Sequence, residues 1–158
     1  MPTGLFVTHP LTDAKIEVWV QQQLGSQVNA ADFVAYLERK DIDGPQVLYR
    51  QGEPSDTIDL VAAGSLAVDV AKPDGQSLRV RRMNTHTVLG EMGFFRHIAR
   101  SATVSTDGPA TIFTMSRENF ARMRRERPDL ATAFDSFIVR VLAERVDAAN
   151  RAIVALSG

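Results

Sequence analysis

The sequence predicts an α+β fold that is mainly β: an antiparallel β-roll or jelly roll, flanked by N-terminal helices and a long C-terminal helix. Three observations carry this. Between residues 45 and 116, short apolar runs are broken repeatedly by turn signals. One of them, SLAVDVA, alternates cleanly, with Leu66, Val68 and Val70 on one face and Ala67 and Asp69 on the other. On both sides of this region the apolar spacing changes to the three and four of a helix.

The elements follow in order. Residues 1 to 12 read as irregular, with Pro2, Gly4 and Pro10. Asp13 is placed to cap a helix carrying Ile16, Trp19, Val20 and Leu24, which ends at GSQ. Asn29 is placed to cap a second short helix with Phe33, Val34, Tyr36 and Leu37, and DIDG at 41–44 closes the helical region. QVLYRQG, TIDLVAAG and SLAVDVA are then three strands. KPDG at 72–75 is a turn: Pro73 fixes φ and Gly75 is free to take φ > 0. SLRVRRM returns, and THTVLG, RSATVST and ATIFTM add three more strands. Ser116 caps a helix from about 117 to 126, and Pro128 suits the first turn of the last one, which runs to about 156. The expected organisation is one domain: an N-terminal extension and helical segment at 1–44, a β-roll at 45–116, and C-terminal helices at 117–158.

Composition narrows the function classes. The chain has 158 residues, 44% of them apolar and 23% charged, which fits one soluble domain with a real core. A net charge of −1 gives no field that favours nucleic acid or an anionic membrane. There is no cysteine, which excludes disulfides and thiolate metal sites and fits a cytoplasmic setting. No apolar run approaches the roughly 20 residues that span a bilayer, and the opening residues lack a signal peptide's apolar stretch.

One stretch carries chemistry. In VLGEMGFFRHIARSATV, residues 88–104, the chain leaves a strand, turns at Gly90 and rejoins a strand at Ser101. EMGFF between them suits one helical turn, whose free N–H groups favour an anion. Gly90 and Gly93 permit close backbone approach. Arg100 offers a fork of donors suited to phosphate oxygens. Glu91 repels a phosphate, so its place makes sense only where the ligand also brings hydroxyl donors. The physical reading is a ribose–phosphate site, with Glu91 on the hydroxyl and Arg100 and backbone amides on the phosphate.

These residues also carry a resemblance. GEMGFFRHIARSATV resembles the phosphate-binding cassette of cyclic nucleotide-binding domains, roughly G-E-L-A-L-x(4)-P-R-x-A-T-V. LYRQGEPSDTIDLVAAGSLAV is similar to that family's opening strands, with Gly52 and Gly64 at its glycine positions, and the similarity covers about residues 30 to 145. The resemblance implies a regulatory sensor that binds cAMP or cGMP and moves its C-terminal helices. It implies Glu91 on the ribose 2′-hydroxyl and Arg100 on the cyclic phosphate. Gly90, Met92 and Gly93 would supply the turn and amides, and Ser101 and Ala102 would continue the phosphate wall. Ala99 departs from the family's frequent Pro, and Arg96 and His97 are larger and more polar than usual at their positions. The ending FIVRVLAERVDAANRAIVAL is similar to the nucleotide-binding domains at the C-terminal end of SulP-type anion permeases, which implies a linked transporter or other effector domain.

Competing readings of the same residues exist. Glu91 and Arg100 form a structural ion pair, or remain from a site that no longer binds, in a domain that serves only as a dimerisation or interaction module. His86 and His97 lack the neighbouring ligands of a cupin metal site, so no metal is expected, and His97 reads as a solvated loop residue. ARMRRERP at 121–128 is locally basic, but Glu126 and the helical spacing point to a solvated helix face rather than nucleic-acid binding. No nucleophile elbow, P-loop or paired-carboxylate site is present, so no enzyme activity and no cofactor are expected. Trp19 reads as a core or interface residue. The apolar stripe of the last helix, including Ile138, Leu142, Ala149, Ile153 and Leu156, outruns one small roll, which points to a homodimer through residues 138 to 156.

Overall fold

The structure, a computed structural model, describes residues 10–158. Of the irregular opening expected at 1–12, residues 1–9 lie outside the described residues, and residues 10–12 are helical instead. Eight strands form two four-stranded antiparallel sheets. One sheet has the order β1 (Glu38–Ile42), β8 (Ala110–Ser116), β3 (Thr57–Ala63), β6 (Thr87–Leu89). The other has β2 (Val47–Tyr49), β7 (Thr103–Thr106), β4 (Leu66–Ala71), β5 (Ser77–Met83). Helices α1 (Pro10–Leu24) and α2 (Ala30–Val34) precede the roll, α3 (Glu91–Arg96) interrupts it, and α4 (Arg117–Glu126) and α5 (Pro128–Leu156) follow.

The expected β-roll with flanking helices is the observed fold. Asn29 caps α2 by accepting from Ala31 N, and Ser116 caps α4 by accepting from Asn119 N. Pro128 opens α5, where its missing N–H costs nothing. The KPDG turn closes with Gly75 N donating to Lys72 O at 2.9 Å and Gly75 at φ 83°.

Two expectations differ from the structure. Helix α1 already includes Pro10, so Asp13 lies within it rather than capping it. The segment read as helical up to 44 stops being helical at Val34: residues 38–42 are strand β1, paired antiparallel with β8 from Glu38↔Thr114 to Ile42↔Ala110. ERKDI carries no strand signature because β1 is an edge strand with only Ile42 buried.

The apolar residues fill two cores. Ile58, Leu60, Val88, Phe113 and Met115 face the helices and meet Ile16, Phe33, Met123, Leu130 and Phe134. Val61, Leu66, Val68, Leu89, Val104 and Ile112 fill the space between the sheets. Strand β3 is thus buried on both faces, and Asp59, on its roll-facing side, is only 6% exposed. Trp19 joins the first core: it stacks on His86 with ring centroids 5.1 Å apart and meets Phe137 edge-on at 5.7 Å. Phe137 and Ile138 are also buried there. The exposed stripe of α5 is Val139, Val146 and Ile153, one heptad apart, continued by Val154 and Leu156. Ile138 and Phe137 therefore hold α5 on its own roll.

Candidate functional site

Strand β6 ends at buried Leu89, and the chain turns at Gly90 with φ 81° and ψ 2°. Only glycine takes this left-handed geometry without strain. Helix α3 follows, with Phe94 pressed into the core beneath it at 1% exposure. His97 ends the helix in the left-handed region at φ 54°, and its side chain is exposed. The β2–β3 loop clamps the returning chain: Arg100 N donates to Glu53 O at 2.8 Å, and Gly52 N donates to Arg100 O at 2.9 Å. A Cβ at Gly93 would lie 2.4 Å from Ser55 Oγ and 2.9 Å from Ile98 O, so α3 reaches this loop only because position 93 has no side chain.

Arg100 is 7% exposed and turned into the roll. Its Nη2 donates to Thr57 Oγ1 at 2.7 Å and its Nη1 to Thr57 O at 3.2 Å, while its guanidinium lies 3.9 Å over the Tyr49 ring. Nε is buried without a protein partner, a donor left over on a charged group. Asp59 accepts from Thr114 Oγ1 at 2.6 Å nearby. A cavity of about 420 Å³ opens beside these groups, lined in part by Tyr49, Thr57, Asp59, Arg100 and Thr114. Burial, chiefly, pushes the Asp59 carboxyl above its ordinary value, against the pull of Thr114 and Arg100. Burial likewise pushes the Tyr49 phenol up, helped by Asp59 and opposed by Arg100.

Glu91, at the start of α3, is 4% exposed. Its carboxylate accepts from Nη1 of Arg145 on α5, whose Nη2 also donates to Val88 O at 2.5 Å. The structural pair of Glu91 with Arg100, raised as a competing reading, is therefore not formed; the partner comes from the last helix. Burial holds the Arg145 guanidinium below its usual range, Glu91 opposes this, and the neighbouring charge of Arg81 adds to it.

The fold brings the cassette residues Gly90, Glu91, Gly93 and Arg100 together at one end of the roll. Met92 carries its side chain outward at 43% exposure, leaving only its backbone facing the turn. Ser101 is exposed and Ala102 packs half-buried against the inter-sheet core.

A family model, the cyclic nucleotide-binding domain, matches residues 39–127, more than half of the chain. The chain belongs to this family. Among solved structures, a cyclic nucleotide-binding domain from Methylobacillus flagellatus shares the fold with a TM-score of 0.79 at 16% identity, covering 89% of this chain and 84% of that one. The catabolite activator protein of Thermus thermophilus gives 0.67 at 22% identity over 80% of this chain and 58% of that one. By sequence, the chain is 31% identical over 99 residues to Glutaminase 1 of Bradyrhizobium diazoefficiens, 63% of this chain but 15% of that protein. It is 23% identical to a CRP-like cAMP-activated global transcriptional regulator of Mycobacterium tuberculosis over 72% of this chain and 49% of the regulator. The chain thus spans half or less of the length of these two curated relatives.

Three residues of this cyclic nucleotide-binding domain escaped sequence reasoning. Arg145 looked like any solvated helix charge. Tyr49 looked like an ordinary strand aromatic, yet it supports Arg100. Arg117 donates to Ser55 O at 3.0 Å and Phe94 O at 2.9 Å and lies 4.2 Å over the Phe94 ring, so it ties α3 to the start of α4. None of the three has a spacing signal, because each partner is remote in sequence. Three arginines of the basic run at 121–128 are held in ion pairs: Arg124 pairs with Asp135 at 2.9 Å, Arg127 with Asp32 and Asp129 at 3.0 Å each, and Arg122 with Glu126 at 3.6 Å.

Proposed function

We propose that this chain is a cyclic-nucleotide sensor domain, taking cAMP or cGMP and coupling its binding to movement of α4 and α5. One observation carries the reading: Arg100, a buried donor with Nε left over, packs against the Gly90 turn from which Glu91, a buried acceptor, opens α3. Arg100 keeps an unspent Nε–H for a phosphate oxygen, with Thr57 and Tyr49 fixing its plane. Glu91 accepts from the ribose 2′-hydroxyl. Gly90, Met92 and Gly93 offer backbone amides, and Ser101 and Ala102 border the phosphate. In this reading the domain catalyses nothing itself, uses no cofactor and regulates a separate effector, as the resemblance to permease-linked domains implies.

The setting is cytoplasmic, in keeping with the nucleotide and with the lack of cysteine. No helix among the described residues is long and apolar enough to cross a membrane. The stripe Val139, Val146 and Ile153 supports a homodimer in which two copies of α5 pair, each covering the other's exposed face. The second reading, an interaction module that binds no nucleotide, has one observation in its favour: Glu91 is already paired with Arg145.

Thermal denaturation with cAMP and cGMP separates the two. A ligand at 100 times its dissociation constant stabilises by about 2.7 kcal/mol, a rise of roughly 5 to 10 °C for a chain of this size. No shift with either nucleotide at millimolar concentration favours the interaction module.

A further inference from the structure

Beside the arginine assigned to the phosphate, strand β3 buries a charge of the opposite sign. Asp59 lies on the roll-facing side of β3 at 6% exposure, and Arg100, at 7%, lines the same cavity. Among the described residues the two do not meet in an ion pair. Arg100 donates to Thr57, and Asp59 accepts from Thr114. A carboxylate and a guanidinium thus share one enclosed space, each hydrogen-bonded to neutral groups instead of to the other.

The two charges nevertheless act on one another. Burial raises the Asp59 carboxyl, and Thr114, then the charges of Arg100 and Lys40, pull it back. Tyr49, whose ring lies under Arg100, feels a wider set. Burial chiefly raises its phenol, Asp59 and Glu91 raise it further, and Arg100 and Arg145 lower it. Two carboxylates and two guanidiniums around this ring cancel. Glu91 and Arg145 are paired, which leaves Asp59 as the negative charge set against Arg100. Lys40, Asp41 and Glu53 also line the cavity, but they are exposed, where water and salt screen them.

We propose that Asp59 is a charge filter: it offsets the field of Arg100, so that the site admits a phosphodiester with a single negative charge and rejects phosphate monoesters and polyphosphates, which carry more. This rests on the cyclic-nucleotide reading of the cassette and deepens it, by naming a residue that tells cyclic nucleotides from linear ones. The base and the ribose 2′-hydroxyl are the same in cAMP and 5′-AMP, so an acceptor at Glu91 does not separate them. Charge does: the cyclic diester carries one, and a monoester carries about −1.5 to −2 at pH 7. Repulsion by Asp59 acts once for each ligand charge. At an effective dielectric of about 20, a unit charge several ångström away changes affinity by roughly tenfold for each of them.

The test compares the full chain with Asp59→Asn and Asp59→Ser, both of which keep an acceptor for Thr114 and lose the charge. Dissociation constants of cAMP, 5′-AMP, cGMP and 5′-GMP are measured at pH 7 by calorimetry, the weak ones by displacement of the cyclic nucleotide. Both variants should bind the cyclic form about tenfold more tightly and the monophosphate about tenfold beyond that, so the preference for the cyclic form falls by about tenfold. A merely structural effect of Asp59 moves cyclic and linear ligands together. An unchanged preference therefore overturns the filter, and so do monophosphates that still fail to bind the variants at millimolar concentration. Heat absent from all three chains with every nucleotide contradicts the cyclic-nucleotide reading itself, and the filter falls with it. Carbon NMR titration of the Asp59 carboxyl in the parent and in Arg100→Ala reads the charge coupling without a ligand. Loss of Arg100 should raise that carboxyl further, and equal values in the two chains overturn the filter even where nucleotides bind.

Discussion

A Cβ at position 90 would lie 2.4 Å from Nη1 of Arg100 and 2.8 Å from Thr57 O. The turn that starts the cassette and the arginine that ends it are thus packed against each other, and the empty side of Gly90 is what lets the guanidinium settle on Thr57. Ten residues of sequence separate the two, yet they form one unit. This unit is what the short helix α3 spans.

Gly90→Ala should accordingly damage the site more than the fold. A left-handed alanine costs about 1–2 kcal/mol, and the methyl group must also displace Arg100. The expected outcome is a melting temperature lowered by a few degrees together with at least a tenfold loss of nucleotide affinity. Paired calorimetry and thermal denaturation check it; unchanged affinity would show that Arg100 does not need its observed position.

Asp59 sets a pH dependence. Burial raises its carboxyl pKa above the ordinary 3.8. A raised folded-state pKa means that the folded chain holds the proton more tightly than the unfolded chain. Its contribution is fully present below the unfolded pKa and is lost as pH rises through the folded one. Asp59→Asn keeps a partner for Thr114 and removes the buried charge. The variant should gain about 1–3 kcal/mol at pH 7, the ordinary scale for a buried polar group relieved of its desolvation, and less near pH 4. Denaturant unfolding at both pH values reads the difference. A larger gain at the lower pH would contradict the assignment of the shift to burial.

The exposed face of α5 predicts a dimer that breaks on its surface, not in its core. Val146→Glu with Ile153→Glu should convert a parent dimer into monomers at ~100 μM, well above a micromolar dissociation constant, without a change in melting of more than a few degrees beyond the lost association. Sedimentation equilibrium decides. Substitution at Ile138 would not be informative, because that side chain is 3% exposed and belongs to the core. A parent that is monomeric at this concentration removes the dimer.

Much of this was legible in the sequence. The turn residues, the caps Asn29 and Ser116, and Pro128 mark boundaries through local chemistry, and each holds in the structure. The cassette was legible because its glycines, Glu91 and Arg100 lie within one short stretch. β1 was not, because an edge strand with one buried residue has no period to detect. Arg145 was not, because nothing in a helical arginine's neighbours shows that it reaches a carboxylate 54 residues away. Ile138 was placed on the partner face because helical spacing identifies an apolar stripe without identifying what covers each part of it.

The central claim is that Arg100 receives a cyclic phosphate. Calorimetric titration of the intact chain and of Arg100→Ala with cAMP and cGMP tests it most directly. The predicted result is saturable binding of at least one nucleotide by the parent and a loss of about 2–5 kcal/mol in the variant, the cost of leaving one partner of a buried charge pair alone, which is at least ~30-fold in affinity. Binding by Arg100→Ala as tight as by the parent would contradict it.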